Sequence, residues 1–294
     1  MNSFLKLAYD FFPSKKPKRI LKQFSIFFLR RKTIETWSKE GNKFLLSFPE
    51  DIGWESIYFE KTFETGTTDI IPRILKPTDT VFDIGANIGW YTVLMSKIIK
   101  KGHCHSFEPV PKIFNKLKQN CIANNLSKNL TLNKLALGDG EKNIKIHTFS
   151  GLPHGHSSLS TLGRTDFKKT KAKMITLDKY IEDNEISNLD FIKIDVEGAE
   201  LKVLEGAKKI LKLENPPIWL FEMNEETATE FGYHPTDILE YLLERREYIF
   251  YKVINGWGSL QKMKDTSDYH SGDNVFCIPV EHNIALSILD SICL

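Results

Sequence analysis

Residues Thr80–Tyr91, TVFDIGANIGWY, constrain this chain more than any other stretch. A short β-rich run, Thr80–Ile84, carries Asp83 near its end. It passes at once into Gly85, Asn87 and Gly89 and then into an apolar helical pattern. This order predicts a strand, a glycine turn and a helix start. Glycine serves where the backbone needs φ > 0 or must approach a ligand closely. The helix behind the turn directs unpaired N–H groups and a positive dipole end back towards it. Such a turn can seat a polar, nucleotide-like ligand. A plain β-α turn can carry the same short motif, so its meaning depends on the rest of the chain.

Downstream, the pattern alternates. A strand is expected at His103–Phe107, a helix at Pro111–Asn124 with Ile113, Phe114, Leu117 and Ile122 inward, and a strand at Leu130–Leu135. Further strands are expected at Asn143–Thr148, Lys173–Leu177, Phe191–Asp195, Pro217–Met223, Tyr248–Val253 and Asn274–Val280. Helices are expected at Leu177–Asp183, Gly198–Leu211 and Pro235–Arg245, and a polar loop at Ser150–Thr170. Alternating strands and helices predict an α/β fold, a doubly wound, mostly parallel sheet. Ahead of it, Lys43–Phe48 and Ser56–Phe63 read as short strands and Glu64–Leu75 as a helix turned or kinked by Pro72. Two units follow: an N-terminal basic and aromatic helical extension over 1–50, and the ligand-binding domain over 51–294.

Charge is unevenly placed. Residues 1–32 hold nine Lys/Arg and one acid, Asp10, although the net charge of the chain is only +2. A balance this near neutral does not argue for a nucleic-acid partner. The aromatic and basic residues of 1–40 fit either a peripheral contact with an anionic membrane or a helical extension packed on the core. With 41% hydrophobic and 27% charged residues, a packed core is feasible. The four cysteines, Cys104, Cys121, Cys277 and Cys293, show no metal-ligand spacing and make no disulfide framework. A reducing, cytoplasmic setting fits them. No apolar run of membrane-spanning length and no signal-peptide pattern is present.

The acids of interest align with the predicted strand ends: Asp83, Glu108, Asp139, Asp195 and Glu222. Open α/β sheets bind ligands at the carboxyl ends of their strands. Glu108 follows the glycine turn at about the interval of a ribose-binding carboxylate, whose two oxygens can accept both ribose hydroxyls. Asp139 can accept from an adenine amino group or shape its own turn. Asp195, Glu197 and Glu200, in DVEGAE, can orient a substrate, act as a base or hold a cation; equally, they are charges that favour a helix start. His154 and His156, in GLPHGHSSLS, have the ordinary pKa range for taking a hydroxyl proton, or are loop polarity. Two histidines without a third ligand make no zinc site. The turn is GxNxG rather than GxGxxG and holds no basic residue, so it is poorly suited to a pyrophosphate. S-adenosylmethionine, with a nucleoside, an amino-acid end and no phosphate, fits it better.

The segments KTFETGTTDIIPRIL, TVFDIGANIGWYTVL, HSFEPVPKIF, LALGDG, HSSL, ITLDKY and FIKIDVEGAELKVLEGA occur in one order over roughly residues 60–225. This series resembles the FkbM-type methyltransferases. The resemblance implies a class I (Rossmann-like) S-adenosylmethionine-dependent methyltransferase fold, with O-methylation of sugar or natural-product hydroxyls. It implies that Gly85, Asn87 and Gly89 surround the methionine moiety, with Asp83 on the strand feeding that loop. Glu108 would bind the ribose, Asp139 would lie on the adenine side, and Glu64 would close over the cofactor. It supplies no fixed base. Asp195, His156 and Glu222 are the candidates for taking the acceptor's proton, with no metal assigned. A nicotinamide-dependent oxidoreductase and a non-catalytic nucleoside-binding protein are the alternatives. The acceptor and the oligomeric state are not read from the sequence.

Overall fold

The N-terminal hairpin shows how local pattern becomes structure here. In β1 (Thr33–Trp37) every second side chain is buried, and β2 (Lys43–Ser47) repeats the alternation. The two pair antiparallel, Thr33 opposite Ser47 and Trp37 opposite Lys43. Period-two burial is what a strand with one covered face requires. The computed structural model describes residues 33–48, 51, 53–149, 157–160, 165 and 167–293. The described part of the expected helical extension is therefore a hairpin. The basic residues 1–32, and the membrane contact expected of them, lie outside the described residues.

The chain continues through α1 (Glu55–Phe59) and α2 (Thr65–Ile74) into β3 (Thr80–Ile84), α3 (Trp90–Ile98), β4 (His103–Phe107), α4 (Pro111–Ala123) and β5 (Leu130–Asn133). An excursion follows: β6 (Ala136–Leu137), β7 (Lys142–Phe149), β8 (Ser157–Ser158) and β9 (Phe167–Ile175). Then come α5 (Leu177–Asp183), β10 (Phe191–Ile194), α6 (Glu200–Glu205), β11 (Ile218–Met223), α7 (Glu225–Thr229) and α8 (Thr236–Leu243). The chain closes with β12 (Tyr248–Val253), β13 (Leu260–Lys262), β14 (Asp273–Pro279) and α9 (Asn283–Ile292).

The main sheet runs β13-β12-β14-β11-β10-β3-β4-β5. Strands β11, β10, β3, β4 and β5 are mutually parallel, and β14, β12 and β13 extend the sheet antiparallel. From β3 the chain winds outward to β5, then returns to β10 on the other side. The two halves therefore part between β3 and β10, the crevice where open α/β sheets take ligands. One face of the sheet packs on the hairpin, α1 to α4 and α9; the other packs on α5, α6 and α8. The excursion strands form a separate four-stranded sheet, β6-β9-β7-β8.

Several local expectations need correction. Ser56–Phe63 is helical at its start, not a strand: Ser56, Ile57, Tyr58 and Phe59 are all buried, and a short run apolar all round has no period to separate helix from strand. In α4, Ile122 is exposed, while Asn120 is buried. Asn120 joins three elements: it accepts from the Leu45 N–H at 2.8 Å and donates to the Ile88 carbonyl at 2.8 Å. The helix expected over Gly198–Leu211 stops at the cap Gly206 and resumes only as a single 3-10 turn at Ile210–Lys212. Strand β9 begins at Phe167, inside the stretch expected to be loop. The C-terminal helix α9 was not anticipated, although Ala285 and Leu289, four residues apart, form its buried stripe.

Candidate active site

The glycine turn forms as its residues require. Gly85 has φ +83, and a Cβ placed there would stand 1.8 Å from the Asp195 carbonyl oxygen. The absence of a side chain thus lets the ends of β3 and β10 meet. Gly89, at φ +92, caps α3 against Leu117. Asn87 between them is itself left-handed at φ +50. Glu64 (φ +41) and Glu197 (φ +56) also adopt this costly conformation, and both border the same cavity. Clustered backbone strain of this kind marks functional sites.

The cavity measures about 280 Å³ and lies across the carboxyl ends of β3, β4, β10 and β11. Its wall includes the apolar residues Leu135, Leu137, Ile144, Ile146 and Val196, and also Glu108. It further carries Trp54, Phe63, Trp90 and Tyr91 together with Glu64, Lys193, Asp195, Glu197 and Glu222. Trp54 and Phe63 lie 4.3 Å apart, centroid to centroid, and Trp90 packs between Phe44 and Phe63.

Glu108 is buried at the end of β4. One carboxylate oxygen accepts from the Val110 N–H at 2.9 Å, the other from the Asn87 N–H at 3.2 Å. Burial nonetheless pushes its carboxyl up to about 7. Asp83, also buried, accepts from the Thr92 hydroxyl at 2.5 Å through one oxygen, while its second oxygen and the Asn87 side-chain oxygen are buried without partners. Buried polar atoms are rarely left unpaired, and these two belong to residues that line the cavity.

A residue the sequence reading passed over stands at the centre. Lys193 pairs across the sheet with Asp83 and bonds Asp195 at 2.9 Å, with its ammonium 4.7 Å from the Tyr91 ring centroid. Burial alone would lower its pKa, but Asp195, Asp83 and Glu64 outweigh that and hold it charged. Lysine is almost never fully buried unless paired, so a Lys in the apolar run FIKID, two residues before Asp195, was the available signal. Glu64 accepts from the Tyr91 hydroxyl at 2.5 Å and from the Asn274 amide at 2.9 Å. Its carboxyl is raised by burial, as are, more strongly, those of Glu197 and Glu222, where the Asp195 charge adds to the effect.

The cavity thus gathers Glu64, Asp83, Gly85, Asn87, Glu108, Asp195 and Glu222 of the expected site. Gly89 lies behind its wall. Asp139 is also outside the wall: it follows β6 rather than the third strand of the main sheet, and pairs with Lys142 at 2.8 Å and Lys202 at 3.3 Å. Those partners hold its carboxyl below the usual range. His154 and His156 lie outside the described residues. Beyond them, Ser158 of the HSSL segment donates to the Glu197 carbonyl at 3.0 Å and brings Leu159 to the cavity. No group of acids, histidines and cysteines among the described residues is arranged to hold a metal ion. No helix among them is long and apolar enough to cross a membrane.

Residues 83–250 match the model of the methyltransferase FkbM domain, more than half of the chain. The chain belongs to the FkbM methyltransferase family. It is 27% identical over 184 residues to the hexuronic acid methyltransferase AglP of Haloferax volcanii, a match covering 62% of this chain and 70% of that protein. It is likewise 27% identical over 164 residues to the 31-O-demethyl-FK506 methyltransferase FkbM of Streptomyces tacrolimicus, covering 46% of this chain and 61% of the relative. A crystal structure of a methyltransferase FkbM from Methylobacillus flagellatus aligns with a TM-score of 0.43 and 18% identity, covering 69% of this chain and 44% of that one. The chain therefore spans less than two thirds of some of the relatives it matches. Family membership and the sheet order together make this a class I methyltransferase fold. The oxidoreductase alternative gives way to a methyltransferase.

Proposed function

We propose that the protein transfers a methyl group from S-adenosylmethionine to a hydroxyl of a sugar, glycan or natural product. The observation that carries this reading is Glu108, whose carboxylate closes β4 inside the cavity, next to the turn at Gly85–Asn87 and an apolar wall. A carboxylate has about four lone-pair sites, so two remain for ribose hydroxyls after the two backbone bonds are made. The apolar wall of Leu135, Leu137, Ile144, Ile146 and Val196 suits an adenine ring. The unpaired oxygens of Asp83 and Asn87 suit the amino end. The residues present therefore fit the donor, which when bound supplies an activated methyl carbon.

The protein's own work is positioning and proton removal. Asp195, at the mouth of the crevice, is our first candidate for receiving the acceptor's proton. Lys193 fixes its orientation through one oxygen and leaves the other open. Glu222, beside it at the end of the neighbouring strand β11, and His156 are the remaining candidates. Glu64, held by Tyr91 and Asn274, also lines the cavity. The test is turnover of Asp195→Ala, Glu222→Ala and His156→Ala, with S-adenosylhomocysteine binding followed by calorimetry. We expect Asp195→Ala to keep binding and lose about 100-fold in turnover, the lower range for a general base. Undiminished turnover in all three variants removes the proposed base, and tight NAD binding in place of S-adenosylhomocysteine removes the donor.

A further inference from the structure

We propose that the acceptor is an uncharged polyhydroxyl compound, a neutral sugar face rather than a uronate or a phosphorylated sugar; this rests on the methyltransferase reading above. The charge inventory of the cavity carries it. Among the described residues, the wall holds six carboxylates, Glu64, Asp83, Glu108, Asp195, Glu197 and Glu222, against one cation, Lys193. No arginine among the described residues lines it, and arginine is the residue suited to bidentate capture of a carboxylate or phosphate. Lys193 is not available either. Its ammonium is bonded to Asp195 and lies over the Tyr91 ring, and its side chain is buried on the strand, cross-paired with Asp83.

The carboxylates already strain the site. Burial, with the Asp195 charge beside them, pushes Glu197 and Glu222 towards the neutral form, so a further anion would enter a site that already disfavours negative charge. The sulfonium and amino group of the donor offset only part of this. What the wall offers instead is suited to a neutral polyol: carboxyl groups that accept from hydroxyls, and the rings of Trp54, Phe63 and Trp90, apolar surface for the C–H face of a sugar. The preferred acceptor thus lacks the charge of the hexuronic acid named for the relative.

The test uses the full chain and matched pairs: neutral methyl glycosides and glycans, and the same sugars carrying a carboxylate in place of the primary alcohol. Label transfer from S-adenosylmethionine gives kcat/KM, and ligand-observed NMR on protein loaded with S-adenosylhomocysteine gives occupancy. We expect the neutral member to be favoured at least about tenfold in kcat/KM or in affinity, the ratio that roughly 1.4 kcal/mol of repulsion produces. We expect Asp195→Asn, read by occupancy alone, to bring the ratio at least threefold towards parity, because it removes a charge and releases Lys193. Preference for the uronate, or entry of neither member, overturns the inference while S-adenosylhomocysteine binding leaves the methyltransferase reading standing. A ratio unmoved by Asp195→Asn also overturns it. Loss of S-adenosylhomocysteine binding in the unaltered protein overturns both.

Discussion

The two ends of the parallel strands use the same kinds of residue for opposite purposes. At the amino ends, Asp79 accepts from the Lys76 N–H at 2.8 Å and closes the turn into β3, and Asp190 accepts from the Thr80 N–H at 2.8 Å and ties the start of β10 to that of β3. At the carboxyl ends, Asp83 keeps one oxygen buried and unpaired, and Glu108, Glu197 and Glu222 are raised by burial. The left-handed residues Glu64, Asn87 and Glu197 all fall at this second edge. Both edges use carboxylates to satisfy backbone N–H groups, but among the described residues only the second also leaves a carboxylate oxygen buried without a partner and gathers its acids around one cavity. An edge that would gain from a partner is the one built to bind.

The sharpest way to break this contrast is at Gly85. Gly85→Ala drives a Cβ into the Asp195 carbonyl, and we expect a loss of about 3 kcal/mol in chemical denaturation together with loss of S-adenosylhomocysteine binding. Gly140→Ala, with nothing within 4 Å, should stay within about 0.5 kcal/mol of the unaltered protein. Equal effects at the two positions would refute the steric account.

Next comes a crossed pair. Glu108→Gln should weaken S-adenosylhomocysteine binding by about 2 kcal/mol, roughly 30-fold, without loss of fold. Asp190→Ala should cost about 1 kcal/mol of stability and leave that affinity unchanged. If the readouts exchange, the division between the edges fails. Glu108 also predicts a pH dependence. Its folded pKa stands above the ordinary 4.5, at about 7. Its contribution to stability is therefore fully present below about 4.5 and lost as pH rises through about 7. Hydroxyl donors favour the ionised carboxylate, so affinity should climb from pH 6 to 8 by at most about tenfold per unit and then level off. Calorimetry across that range should show the slope, and Glu108→Gln should flatten it.

The smallest expected effect is at Asp139. Its ion pairs with Lys142 and Lys202 are partly exposed, so Asp139→Asn should change stability by less than about 1 kcal/mol. We expect cofactor affinity to fall by less than about twofold, since the side chain lies outside the cavity wall. A loss of tenfold or more would restore an adenine-side role.

Legibility followed the range of the forces involved. The strands β3, β4, β10 and β11 and the helices α3 and α5 were readable because apolar runs, glycine turns and caps are local signals. Glu108 and Asp195 were readable because a strand end is a position in sequence as well as in space. Lys193 was missed because its role depends on Asp83 and Tyr91, which sheet pairing and a neighbouring helix bring to it. Asp139 was misplaced because two consecutive strands entered different sheets, which no local pattern records.

The amino-acid order alone settled the alternation that builds the parallel sheet, the glycine turn and the acids at the ends of β3, β4, β10 and β11, since each depends on neighbours within a few residues. Folding in three dimensions decided which of those acids share a cavity, which are neutralised by lysine and which are left unpaired. Those properties arise from burial and from charges brought together across strands, and electrostatic energy depends on distance through space rather than along the chain.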